Sequence, residues 1–456
     1  MIITAAILFF LSLVILAFSA NVSTGIFCFL CGGVIVAGLR AFTHKKDTAV
    51  SSVYAISFAA NTLYAVLCYA YMQGHGYSYL LAFDTDNVIM PTLNGFLSSG
   101  QGFWGTIGEI WSQYDLFDRF QVGYYTYLFT WGYFTNSLGI GIDNYFAIQM
   151  AHYAFASFIA PLLYKILVMN NVSYKKAVSY SLTIAFCSIM FFYSSTIIRD
   201  GIITTLMLYI YYVMMHEPKM LNYLKIFLAV YLISALRIES GMFAVVYLPF
   251  YYYIWMGHKG RGNSYLLAFL IVAVVVLAFA VNNYSRAVQV YNFNYDTYVE
   301  GVDEGSGVIG LLQRIPVLGN LLSIVYIAML PMPCWSKMFV SASLSRPECY
   351  NVMCFPIAIA VFFNTYIIVY LILYALSGKR QEKKRSRPLM ILLIPGLALL
   401  YLQSAVVAQR RVMAAYAVFY LIWAMIHEKS SKKFNHEALV WTGAIFLLIQ
   451  LATGLR

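Results

Sequence analysis

The sequence predicts an all-α integral-membrane protein that crosses the bilayer many times, and three observations predict it. Of the 456 residues, 62% are hydrophobic and 10% charged, with a mean hydropathy of +0.74. Apolar runs of roughly 18 residues or more, the length of a spanning helix, recur along the whole chain. The lysines fall in short clusters between those runs, which is the positive-inside pattern of cytoplasmic loops. The net charge of +11 therefore reports orientation in a membrane. Nucleic acid is excluded as a partner, because no basic amphipathic face with interleaved aromatics accompanies that charge. Seven cysteines, most of them within apolar runs, show neither metal-ligand spacing nor a disulfide framework and read as small core residues.

The first segment, MIITAAILFFLSLVILAFSA, lacks the basic n-region of a secretory signal. It carries Phe18 where a small residue would precede cleavage, so it reads as an uncleaved helix. Further spans are expected near residues 24–40, 51–72, 143–168, 177–195, 201–216, 221–236, 240–256, 264–282, 352–376, 388–404, 412–427 and 437–454, about 12 to 13 in all. The basic loops 40–47, 170–177, 216–219, 257–263, 378–387 and 427–433 can share the cytoplasmic side only if 122–141 and 316–335 do not cross fully. Both look interrupted. The first is rich in Tyr and Gly, and the second ends in LPMPCW, whose prolines remove helix donors. They are expected as juxtamembrane or re-entrant helices in the outer leaflet. The whole chain, 1–456, then reads as one integral-membrane domain with two outer loops, 73–142 and 283–351.

In this arrangement every lysine but Lys337 lies inside, which is ordinary topology. Arg199, Arg237, Arg410 and Arg411 lie outside, at the starts of inward-running helices, and topology does not explain them. An ionisable group at membrane depth costs several kcal/mol unless it has a partner or reaches water, so it reads as a site. Arginine presents a planar fork of donors that matches phosphate oxygens two at a time. Several arginines at one depth therefore point to a bound polyanion. The sequences are FFYSSTIIRDGIITTLMLY, LISALRIESGMFAVVYLPF and SAVVAQRRVMAAYAVFY. Asp200 beside Arg199 could also form a local ion pair that caps a helix. Arg237 and Glu239 are two residues apart, so on a regular helix they point about 200° away from each other.

The first outer loop carries Asp84 and Asp86, spaced D-x-D, and the second carries Asp296, Glu300, Asp303 and Glu304 among tyrosines. Carboxylates accept hydrogen bonds from sugar hydroxyls or act as bases, and aromatic faces pack on sugar rings. Such loops suit a carbohydrate, though interfacial belts and soluble acidic loops have the same composition. Asp84 and Asp86 also fit a turn ahead of a helix at 87–98. His75 and His152 read as hydrogen-bonded packing residues before bases. No His/Cys cluster accompanies the D-x-D pair, so no metal site is expected. Cys334 and Cys349, flanking MFVSASLSRPE, are either a bridge or two buried thiols.

The D-x-D acids after an early span, the Tyr/Phe-rich juxtamembrane stretch, SxxxRDG opening one helix and LRxE opening another resemble integral-membrane glycosyltransferases of the GT-C type. The nearest likeness is to bacterial O-antigen and exopolysaccharide polymerases of the Wzy-type and EpsG-like kinds. It covers about residues 50 to 430 and rests on order and topology. Two spans precede the one feeding the acidic loop, a departure from the simplest GT-C pattern. The resemblance implies a sugar or oligosaccharide on a polyprenyl phosphate or diphosphate, such as undecaprenyl diphosphate, transferred at the outer face of a bacterial inner membrane. It places Asp84 and Asp86 in the first-loop acidic motif, with Glu239 as the alternate base. Arg199, Arg237, Arg410 and Arg411 match arginines that bind lipid-linked phosphate. The implied partners are that lipid-linked glycan, membrane lipid and other membrane proteins of polysaccharide assembly; no cofactor is implied. The absence of G-x-x-x-x-G-K-[ST] fits a lipid-activated donor that needs no nucleotide site. The alternative is a flippase or anion transporter, which should instead show arginines at mid-membrane and inverted repeats.

Overall fold

The computed structural model describes residues 2–19, 22–42, 48–74, 88–112, 122–140, 145–255, 355–377, 392–397, 400 and 409–454. Among them the regular structure is helical, with no strand. The helices are α1 Ile2–Ser19, α2 Val22–Phe42, α3 Thr48–Gly74, α4 Met90–Leu97, α5 Gly102–Ser112, α6 Val122–Ser137, α7 Tyr145–Ala156 and α8 Ile159–Met169. They continue with α9 Tyr174–Cys187, α10 Ile189–Ser194, α11 Asp200–Met214, α12 Met220–Leu236, α13 Ile238–Val245, α14 Tyr247–Trp255, α15 Phe355–Leu376, α16 Gln409–Lys429 and α17 Lys432–Gly454. Four stretches among the described residues are long and apolar enough to cross a membrane: Val22–Ala41, Thr48–Tyr71, Phe146–Met169 and Phe355–Leu376. Ile2–Ala17, Asp200–Met214 and Met220–Leu236 are apolar but shorter. The chain is an all-α membrane protein.

Three expected spans prove to be interrupted, and prolines account for two of the breaks. A proline cannot donate to the carbonyl four residues back and crowds it. Pro161 does this to Ser157, and α7 gives way to α8 across Ser157 and Phe158. Pro249 does the same to Val245, the last residue of α13, and α14 starts two residues later. In the third, Ser188 turns extended (ψ 167°) and its hydroxyl accepts from the Met190 N–H at 3.3 Å, capping α10 where α9 has ended. At 122–141, where no full crossing was expected, α6 has 16 residues and packs against α4, α5 and α7.

The chain divides into two compact units, Met1–Lys165 with Ser173–Thr205 and Ser336–Ile359, and Ile166–Val172 with Leu206–Trp335 and Ala360–Arg456. In the first, α1, α2 and α3 pack mutually and α7 lies on α2 and α3. Its centre is aromatic: Phe58 meets Phe9 at 5.4 Å and Tyr153 at 5.2 Å, and Tyr54 meets Phe158 at 4.7 Å. The buried Tyr54 hydroxyl donates to the Ala154 carbonyl at 2.8 Å, so the ring serves the core while its polar tip is satisfied. In the second unit the Tyr211 and Tyr247 hydroxyls bond at 2.8 Å and tie α11 to α14. Trp255 donates to the Met214 carbonyl at 3.2 Å and Tyr251 to that of His216 at 3.0 Å. Tyr420 of α16 donates to Asn364 of α15, and Tyr370 of α15 to Asn435 of α17 at 3.1 Å.

Candidate functional site

Two of the three arginine sites lie among the described side chains, one in each unit. Arg199 ends an irregular stretch, Ser195 to Arg199, between α10 and α11. That stretch is held from outside. The Ser195 hydroxyl donates to Asn61 Oδ1 of α3 at 2.9 Å, and Asn61 Nδ2 donates to the Ser157 hydroxyl at 3.0 Å. The Gln149 amide of α7 donates to the Ser195 carbonyl. Asn61, Ser157, Gln149 and Ser195 are all buried, where each bond made avoids the cost of a dry polar group. Through Asn61, the Ser157 hydroxyl at the α7–α8 break is thereby linked to the turn that carries Arg199.

Gly201 lets the turn close. A Cβ there would stand 3.2 Å from Ser194 Cα and 3.2 Å from the Tyr193 carbonyl oxygen, with Ala156 Cβ at 3.4 Å. Asp200 opens α11 and is buried, at 2% exposure; a carboxylate at that end is favoured by the unpaired first-turn amides. Arg199 itself is half-buried.

Helix α6 supplies the neighbours. Tyr124, Tyr127 and Trp131 recur at helical spacing on one face, and the latter two donate to the Ala151 and Ala147 carbonyls of α7. The two helices therefore run antiparallel. The Tyr124 hydroxyl lies 2.8 Å from His152 Nε2, and His152 Nδ1 faces the Ile148 carbonyl at 3.3 Å. A carbonyl only accepts, so the proton belongs on Nδ1 and Nε2 accepts from tyrosine. Both ring nitrogens are engaged by protein, the packing role expected for this histidine. Burial pushes the Tyr124 hydroxyl well above the ordinary tyrosine range; the nearby Arg199 guanidinium opposes that, while Tyr125, Tyr127 and Asp200 add to it. Arg199, Asp200 and Tyr124 are thus electrostatic neighbours.

The second site is built differently. Arg237 is a single extended residue (φ −159°, ψ 113°) that ends α12 and precedes α13. Its N–H donates to the Ile233 carbonyl at 2.8 Å and its carbonyl accepts from the Gly241 N–H at 3.1 Å. The expectation that Arg237 and Glu239 point about 200° apart presumed a regular helix, and the bend at Arg237 removes that premise. Gly241 closes on Ser234: a Cβ there would fall 1.9 Å from the Ser234 hydroxyl oxygen and 2.6 Å from its Cα. Arg237 and Glu239 are both buried, at 6% and 8% exposure.

Arg410 and Arg411 lie in the first turn of α16, and their side chains are outside the described residues. So are Asp84, Asp86, His75, Cys334, Cys349 and the second outer loop. No group of three His, Cys, Asp or Glu side chains that could hold a metal occurs among the described residues. Sequence reasoning passed over Asn61, Gln149 and Tyr124. The signal for the first two was available: each is a polar residue within an otherwise apolar helical run, FAANTLYAV and FAIQMAHYAF. Comparison with protein-family models, with curated proteins and with solved structures finds no match to this chain.

Proposed function

We propose that the chain is a GT-C-like membrane glycosyltransferase that moves a sugar or oligosaccharide from a polyprenyl phosphate or diphosphate to a glycan acceptor at the outer face of a bacterial inner membrane. One observation carries this reading: two arginines stand at sharp breaks in apolar helices, each followed within two residues by a buried acid, Asp200 or Glu239. Charged groups are retained in such surroundings where function requires them.

In the proposed reaction the acceptor hydroxyl oxygen attacks the anomeric carbon. The bond from that carbon to the phosphate oxygen breaks, and the electron pair leaves on phosphate. Arg199, Arg237, Arg410 and Arg411 would meet this growing charge, which lowers the barrier because it is larger in the transition state than in the substrate. Asp84 or Asp86, with Glu239 as alternate, would accept the hydroxyl proton. The lipid leaving group stays in the bilayer.

The test is elongation of an undecaprenyl-diphosphate-linked oligosaccharide by the purified protein in lipid nanodiscs, read as a ladder of glycan lengths. Arg199→Lys keeps charge but loses two-point contact, and elongation is expected to fall about a hundredfold, while Lys383→Arg leaves it unchanged. Losing the base carboxylate should stop turnover with donor binding intact, whereas losing an arginine should weaken binding as well. Movement of the lipid-linked glycan across vesicles without elongation, or an undisturbed ladder from Arg199→Lys, replaces this reading with a transporter or a structural protein.

A further inference from the structure

Helix α5 carries two faces of opposite character. Phe103, Thr106 and Ile110 turn inward: Thr106 and Ile110 are buried, and the Phe103 ring lies 5.7 Å from Phe129 and 5.2 Å from Tyr133 of α6. The Thr106 hydroxyl bonds that of Ser99 at 2.9 Å, which fixes the helix to the turn before it. On the other side stand Trp104, 80% exposed, and Trp111, 50% exposed. They are seven residues apart, so they lie one above the other on a single line of the helix, with Gly108 between them. The helix's one charge, Glu109, is half-buried and falls about 140° around the helix from Trp104. The end of α6 exposes Phe134, and the turn after it exposes Leu138.

We propose that this aromatic face is a bilayer anchor: α5 lies in the plane of the membrane interface with the Trp104 and Trp111 indoles at the boundary between headgroups and acyl chains. An indole joins a large apolar ring to one N–H donor, so it is best served where hydrocarbon and polar groups meet. Three features choose lipid over protein as the occupant. The face is one helix of 11 residues, about 16 Å long at 1.5 Å per residue; that is too small for the roughly 800 Å² per partner of a stable protein interface. It holds no charge and no paired donor and acceptor to give a protein partner register. And it adjoins the end of α6, beyond which the chain enters the Phe146–Met169 span, so the patch sits beside a segment that must itself enter the bilayer. An amphipathic helix with aromatic residues on its apolar side takes this position in general.

The test uses the full chain in nanodiscs. Subtracting the tryptophan emission of Trp104→Phe/Trp111→Phe from that of the natural protein isolates the two indoles while keeping an aromatic ring at the two exposed sites. Phospholipid brominated near the headgroup should quench this difference signal about twofold, and aqueous iodide should leave it nearly unchanged. Quenching by iodide without effect from brominated lipid places the face in water, and protection from both places it under protein, a second copy included. Either result overturns the proposal. If the double variant does not purify, Trp104→Phe and Trp111→Phe report one indole each by the same subtraction.

Discussion

The bend at SSTIIRDG and the bend at SALRIESG share a local design and differ in what holds them. In each, a serine and a glycine seven residues apart meet with backbone close to backbone, Ser194 with Gly201 and Ser234 with Gly241. In each, the arginine precedes an acid that is buried at the start of the next helix. The first bend spends five residues between helices and is tied by Asn61, 134 positions away, and by Gln149, 46 away. The second spends one residue and relies on its own glycine. Arg199 is left half-buried beside Tyr124 and Asp200, whereas Arg237 is almost wholly buried. A helix break can thus be imposed by distant side chains or by local close packing, and the two should fail under different substitutions.

The largest expected effect lies in the second bend. Gly241→Ala places a methyl 2.6 Å from Ser234 Cα, well inside van der Waals contact with a backbone atom that cannot rotate away, so stability should fall by about 3 kcal/mol. Titration with sodium dodecyl sulfate in mixed micelles measures it. Ser234→Ala should not rescue the variant, because Cα rather than the hydroxyl sets the limit; rescue would show that the bend is held less tightly than described.

Next is the first bend's remote tie. Asn61→Leu strips partners from the Ser195 and Ser157 hydroxyls in a dry interior, for an expected loss of about 2 kcal/mol. A double-mutant cycle with Ser195→Ala should show about 1 kcal/mol of coupling. Additive losses would mean that Asn61 packs without positioning the turn.

Smallest is Gly201→Ala, where contacts of 3.2 to 3.4 Å ask neighbours to give by a few tenths of an ångström. A loss of about 1 kcal/mol is expected from this mild overpacking. If Gly201→Ala and Gly241→Ala cost the same in the same titration, the contrast between the bends is wrong.

Much of the helical layout was legible in advance. The expected spans at 24–40, 51–72, 143–168 and 352–376 match the stretches Val22–Ala41, Thr48–Tyr71, Phe146–Met169 and Phe355–Leu376 within a few residues, because apolar length decides where a chain can sit in a bilayer. The prolines at 161 and 249 were equally visible, yet they were read through: a hydropathy window averages across a missing hydrogen bond, while the regular helix breaks a few residues before each. The break at Arg237 carries no proline at all. It is legible only as Gly241 seven residues past Ser234, a pairing that has meaning once the two are known to touch.

The sequence by itself determined the class of protein, several of its helical spans and the positions of the costly charges, since these follow from hydrophobicity and from the energy of an ion in hydrocarbon, which each residue carries with it. It determined that Arg199 opens a helix, through the Asp and Gly that follow. Only the tertiary structure decided that Asn61 and Gln149 hold the Arg199 turn and that the second arginine sits at a bend where a regular helix was expected. It also decided that His152 spends both nitrogens on protein. Those outcomes depend on hydrogen bonds between residues tens to more than a hundred positions apart, and on contacts of a few ångströms that only a packed chain brings into being.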